Sequence, residues 1–174
     1  MVSRLLCWAL IVVSAGACGT CGSSSASNTS NTSHCVEPRL CLTLTGPLSG
    51  TTDRLVTDPD CIVGQGIDAQ FTTMIAGRET SIEIDVTDPA LGRTDYRAGT
   101  YRVGPHTGTQ AGASFWVQPD KDVPGFPGGW YTEASGGAGT ITLNATPGGS
   151  VNDVVAVPKS GSGSLTVRGT FHCQ

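Results

Sequence analysis

Charge is scarce in this chain: Lys, Arg, Asp and Glu make up 14% of its 174 residues. What charge there is leans acidic, with 14 acidic against 10 basic residues and a formal net charge of −4. An acidic chain repels a phosphate backbone, so no nucleic-acid partner is expected. Helix formers are sparse, and no window holds apolar residues at helical spacing for three turns, which argues against a helical fold. Catalytic signatures are missing too. There is no Gly-x-Ser-x-Gly elbow, no His-Glu-x-x-His pair, and no glycine-rich loop placed between a strand and a helix to cradle phosphate. The three histidines, His34, His106 and His172, stand at no recognisable spacing from a nucleophile. No catalytic residue is assigned, no enzymatic activity is expected, and no cofactor is implied.

Metal ligation is weakly signalled. Cys18-Gly-Thr-Cys21 has the spacing of a zinc-ligand pair, but an exported chain favours disulfides or lipid over thiolate zinc. Asp58, Asp60, Asp88, Asp120 and Asp122 could offer oxygens to calcium, yet none lies in an EF-hand-like run with a distal Glu. No metal site is assigned.

What the sequence does have begins at its N-terminus. Arg4 precedes an apolar run, Leu5 to Val13, and then Ser14-Ala15-Gly16-Ala17-Cys18. A positive start, a short apolar stretch and small residues before the cut read as a secretory signal peptide over residues 1–17. The run is too short to cross a bilayer, which takes about 20 residues. Its removal takes Arg4 away and leaves a net charge of −5. Residues Gly22 to His34 are Ser, Thr, Asn, Gly and Ala with a single His. Such a segment cannot bury enough apolar surface to order itself and reads as a flexible tether over 18–34.

Residues 35–174 read as one β-rich domain. Leu40, Leu42 and Leu44 alternate with Cys41, Thr43 and Thr45, and Ile82, Ile84 and Val86 alternate with Glu83 and Asp85. Alternation of this kind marks half-buried strands. Further strands are expected at Ile67–Ile75, Gly99–Val103, Ala113–Val117, Trp130–Glu133, Ile141–Ala145, Val154–Val157 and Leu165–Cys173, with Gly/Pro turn signals between them. About eight or nine short antiparallel strands give an all-β fold, a sandwich or a small barrel.

Seven cysteines occur, and Cys7 leaves with the signal peptide. In an exported chain the rest read first as disulfides. Cys173 shares a strand face with Leu165, Val167 and Phe171, and Cys61 opens the apolar Cys61-Ile62-Val63 run. A Cys61–Cys173 bridge would tie an early strand to the last one. Cys41 lies on the face opposite Leu40 and Leu42 and closes a small loop more naturally with Cys35. Four cysteines allow three pairings, and this one is the expectation. If Cys18 is acylated, Cys21 is left as an odd thiol in the tether; if not, six cysteines can all pair.

The aromatics cluster: Phe115, Trp116, Phe126, Trp130 and Tyr131 lie within seventeen residues. Trp116 falls on the face opposite Phe115 and Val117. Trp116, Trp130 and Tyr131 are therefore candidate ligand-binding residues for a sugar face or an apolar group. The alternative is that the tryptophans cover one end of the fold.

The sequence Ala15-Gly16-Ala17-Cys18 resembles a bacterial lipobox. With the tether and the Thr170-Phe171-His172-Cys173 ending, the plan is similar to that of small bacterial surface lipoproteins. More distantly it resembles the mycobacterial LpqH-type lipoprotein antigens. Cys21, Cys35 and Cys41 go beyond that pattern. The resemblance implies that Cys18 becomes the acylated N-terminus, that the lipid bilayer is a partner, and that a non-catalytic domain stands in the cell envelope. The residue reading alone leaves plain secretion, cut at the same place, as the alternative. Two function classes follow: a non-enzymatic envelope lipoprotein that binds or presents a glycan or protein, and a secreted carbohydrate-binding or hydrolase-accessory module.

Overall fold

The computed structural model describes residues 39–105, 109–121, 123–124, 128–133 and 136–174. Cys18, Cys21, Cys35, His34, His106 and Phe126, and the expected signal peptide and tether, lie outside the described residues. Eleven strands are present: β1 Leu40–Thr45, β2 Gly50–Leu55, β3 Asp60–Val63, β4 Gly66–Ile75, β5 Arg78–Thr87, β6 Gly99–Arg102, β7 Gly112–Pro119, β8 Trp130–Tyr131, β9 Ala138–Leu143, β10 Gly148–Pro158 and β11 Leu165–His172. Hydrogen bonding runs β11-β1-β2-β4-β5-β7-β8-β10, and β10 returns to β11. The all-β expectation holds, and of its two forms the structure is the barrel: a closed ring of eight antiparallel strands. The other three attach outside the ring order: β3 beside β4, β9 beside β10, and β6 beside β9.

Alternation builds the interior. In β5, Thr80, Ile82, Ile84 and Val86 point inward while Ser81, Glu83, Asp85 and Thr87 point out. In β4 the inward set is Ile67, Ala69, Phe71, Thr73 and Ile75, and in β7 it is Ala113, Phe115 and Val117. Phe71 meets Phe171 of β11 across the interior, edge to face, with ring centroids 6.3 Å apart. Side chains of this size contribute about 1.5–3 kcal/mol each when fully buried, so the packed interior is the main source of stability.

The ring is not uniform. β4 and β5 pair over ten consecutive positions, and β5 and β7 over eight. By contrast β1 meets β2 only at Thr43↔Thr51 and Leu44↔Gly50, and β2 meets β4 only at Thr52↔Ile75 and Leu55↔Thr73. Buried threonines take over where the ladder lapses. The Thr52 hydroxyl donates to the Leu40 carbonyl at 2.7 Å and accepts from the Leu42 N–H at 3.0 Å. The Thr73 hydroxyl donates to the Arg54 carbonyl at 2.8 Å. At the two-residue β7–β8 junction, Thr132 accepts from the Phe115 N–H at 2.8 Å through its hydroxyl. Each side chain extends the barrel sideways by one backbone-like donor or acceptor.

The Cys61–Cys173 disulfide crosses the same weak sector. Its Cα atoms are 5.8 Å apart and 112 residues separate them in sequence. Cys61 belongs to β3, which pairs with the early part of β4, and Cys173 follows β11, the partner of β1. The bond therefore joins the two sides of the thinly paired β1–β2 region. The expected pairing is correct, but one of its premises is not. Ile62 is 62% exposed and Val63 38%, so the Cys61 run does not lie in the core; Cys61 itself is half-buried against it. Cys41 is disulfide-bonded as well, and its expected partner, Cys35, lies outside the described residues.

Three departures from the expected strands have local causes. β2, Gly-Thr-Thr-Asp-Arg-Leu, carries no alternation, because it is held by the Thr52 hydroxyl and two short ladders. β3 is not amphipathic: its consecutive aliphatics Ile62 and Val63 are both exposed. β10 runs from Gly148 to Pro158 rather than Val154 to Val157, through a bulge at Asn152-Asp153 where both residues are exposed and the pairing register shifts. Asp153 has φ of +49° there, and its carboxylate pairs with Arg168 of β11.

The seam makes a testable claim. Thr52→Val keeps the shape but leaves the Leu40 carbonyl and the Leu42 N–H without their partner. It should cost about 1–3 kcal/mol in urea denaturation, with Thr52→Ser recovering most of the loss. An unchanged midpoint for Thr52→Val would show that the hydroxyl does not close the seam.

Candidate functional site

The long-paired wall β4-β5-β7, continued across the two-pair β7–β8 junction, carries the candidate site on its outer surface. Cross-strand register fixes the row: Gln70 lies opposite Glu83, Glu83 opposite Trp116, and Trp116 opposite Tyr131. All four are outward positions by alternation. Trp116 is 39% exposed although it is a large aromatic. With Glu83, Ser114, Tyr131, Glu133 and Lys159 it lines an open cleft of about 330 Å³. Lys159 follows β10 and is drawn to the site by its N–H, which donates to the Gly129 carbonyl at 3.1 Å.

Of the three aromatic candidates, Trp116 and Tyr131 come together and Trp130 does not. Trp130 is fully buried and belongs to the interior, so its assignment as a ligand-binding residue is corrected. The reason is the strand period. Trp130 and Tyr131 are consecutive in β8, so one must face in when the other faces out. The indole N–H of Trp130 is satisfied by the Gly163 carbonyl at 3.3 Å. Gly129 permits the approach: its φ is +75°, and a Cβ there would sit 2.2 Å from the Val117 carbonyl oxygen.

Sequence reasoning did not pick out Glu83, Glu133 and Lys159. Alternation showed that Glu83 faces outward, but register across β5, β7 and β8 is what sets it beside Trp116. The wall is electrostatically crowded. Burial is the first cause raising the Glu83 carboxyl above its ordinary pKa, followed by the nearby charges of Asp68, Asp85 and Glu133. Asp68, in the neighbouring row opposite Asp85, is raised chiefly by burial and then by Asp85 and Asp60, against a lowering hydrogen bond from Gln70. Its Oδ1 is buried and accepts no hydrogen bond among the described residues. Among the described residues, no three His, Cys, Asp or Glu side chains converge to hold a metal ion. His172 stands in β11, away from this row.

No protein-family model, no curated protein and no solved structure matches the chain. The site must therefore be read from its own chemistry. A flat aromatic surface, a second aromatic with a phenol, two carboxylates and one ammonium on a rigid sheet suit reversible recognition.

The crowding has a stability consequence. A carboxyl whose folded pKa is raised binds its proton more tightly in the folded state, so its contribution is full below the unfolded pKa and is lost as pH rises through the folded value. Asp68→Asn should therefore stabilise the fold at pH 7 and have no effect near pH 3. The half-exposed setting limits the gain to about 0.5 kcal/mol, or about 1–2 °C in Tm. Thermal unfolding at both pH values checks it; a loss of stability at pH 7 would contradict the direction assigned to Asp68.

Proposed function

We propose that this chain is a non-enzymatic, envelope-anchored lipoprotein whose β domain binds a ligand in the outer cleft. In this reading residues 1–17 direct export and are removed, Cys18 carries the lipid, and residues 18–34 hold the domain off the bilayer. One short acyl-bearing terminus plus a polar spacer leaves the barrel free to meet ligand on its outer wall. The single observation that supports binding is Trp116, an exposed indole on β7 set opposite Tyr131 across the two-pair β7–β8 junction. Exposing a large aromatic forfeits burial worth about 1.5–3 kcal/mol, and recognition of a flat or apolar group is the use that offsets it.

The second reading, a secreted carbohydrate-binding or hydrolase-accessory module, rests on the same Trp116–Tyr131 surface, which suits the face of a sugar ring. It differs in the fate of Cys18. One experiment with two arms tests the proposal. Cys18→Ser, expressed with its own signal, should move the protein from the detergent-extracted to the soluble fraction. Trp116→Ala should weaken retention on isolated envelope material about tenfold at unchanged Tm, equivalent to about 1.4 kcal/mol. Unaltered partitioning of Cys18→Ser would overturn the anchor, and unaltered retention of Trp116→Ala would overturn the cleft.

A further inference from the structure

The cleft's polar groups are unevenly charged. Glu83 and Glu133 line it, Asp68 and Asp85 stand close enough to act on Glu83, and Lys159 is the one cation among its described lining residues. Among the described residues Lys159 forms no ion pair with Glu83 or Glu133, so the carboxylates are not neutralised from within. Trp116, partly exposed and opposite Glu83 in register, lines the same cleft, and the π-electrons of an indole attract positive charge. A neutral sugar would stack on the indole but would leave the like-charge repulsion in place. A cation would meet the ring and relieve the carboxylates together.

We infer that the cleft takes an organic cation: a small alkylammonium ion in solution, seated on the Trp116 indole with its charge against Glu83 and Glu133. The inference rests on the binding function proposed for this cleft and names its ligand class. Apolar substituents on the nitrogen fit the walls supplied by Trp116 and Tyr131, while the charge faces the carboxylates. The interaction is partly exposed, so salt should weaken it.

Calorimetric titration of the full chain in detergent with choline chloride tests this, using sodium chloride and N-acetylglucosamine as controls. Choline should bind and N-acetylglucosamine should not. Glu83→Gln and Trp116→Ala should each weaken choline about tenfold or more, with Tm confirming that both variants are folded. Trp116→Phe, which keeps a ring, should retain more affinity than Trp116→Ala. Equal binding of N-acetylglucosamine, or choline binding indifferent to Glu83→Gln, would overturn the cation class. No choline binding, with envelope retention still dependent on Trp116, would overturn the cation class alone. No choline binding together with retention independent of Trp116 would overturn the cleft as a site as well.

Discussion

Closing a sheet into a barrel removes its edges, but every strand must then satisfy both neighbours, and this ring does so unevenly. Around β2 the ladders shrink to two pairs on each side. An unpaired buried backbone group costs about 1–3 kcal/mol, and the seam avoids that cost with side chains. Thr52 serves two groups of β1, and Thr73 serves one of β2. The Cys61–Cys173 bond then links β3 to the end of β11 over the same sector. Hydroxyls and a disulfide thus replace ladder where the sequence offers Gly-Thr-Thr-Asp-Arg-Leu rather than alternating aliphatics.

This closure lets the wall that follows the seam be regular. β4, β5 and β7 pair over long stretches, and their inward faces supply Phe71, Ile82, Ile84 and Phe115 to the core. Ladders of that length set the outward side chains of β4, β5 and β7 in fixed rows, and the two-pair β7–β8 junction adds Tyr131. Trp116 and Tyr131 share one row with Glu83, and Asp68 and Asp85 occupy the next. The carboxylates repel one another, and burial makes the repulsion stronger. A surface selected only for stability would not set these acids so close together, which is the tension expected where a site is built at some cost to the fold.

Much of this was legible in the sequence because alternation is a local property. β1 and β5 could be read from Leu, Ile and Val recurring every second residue, β4 from its richness in Thr and apolar residues, and Trp116 could be assigned outward from its neighbours Phe115 and Val117. Cys173 could be placed inward in the same way, which led to its partner. Other features depend on register or on tertiary substitutes and leave no local trace. β2 and β3 have no inward-facing aliphatic period. The bulge at Asn152-Asp153 hides the length of β10. Trp130 and Tyr131 are adjacent, so composition could not decide which faces out; the Gly129 turn against β7 decides it. Glu83 carries no motif, and only the β5–β7–β8 register brings it to the aromatics.

The central claim is that the β1–β2 seam is closed by Thr52 and the Cys61–Cys173 bond while β5 and β7 stand on their own long ladder. Native-state hydrogen exchange on a Cys61→Ser, Cys173→Ser variant tests it most directly. Loss of the bond should cost about 2–5 kcal/mol. The account predicts that amides beside the seam, Leu42 foremost, come to exchange through a local opening well below the global unfolding energy. Amides of β5 and β7 at Glu83 and Trp116 should still exchange only with global unfolding. Equal exchange energies at Leu42, Glu83 and Trp116 in that variant would contradict it.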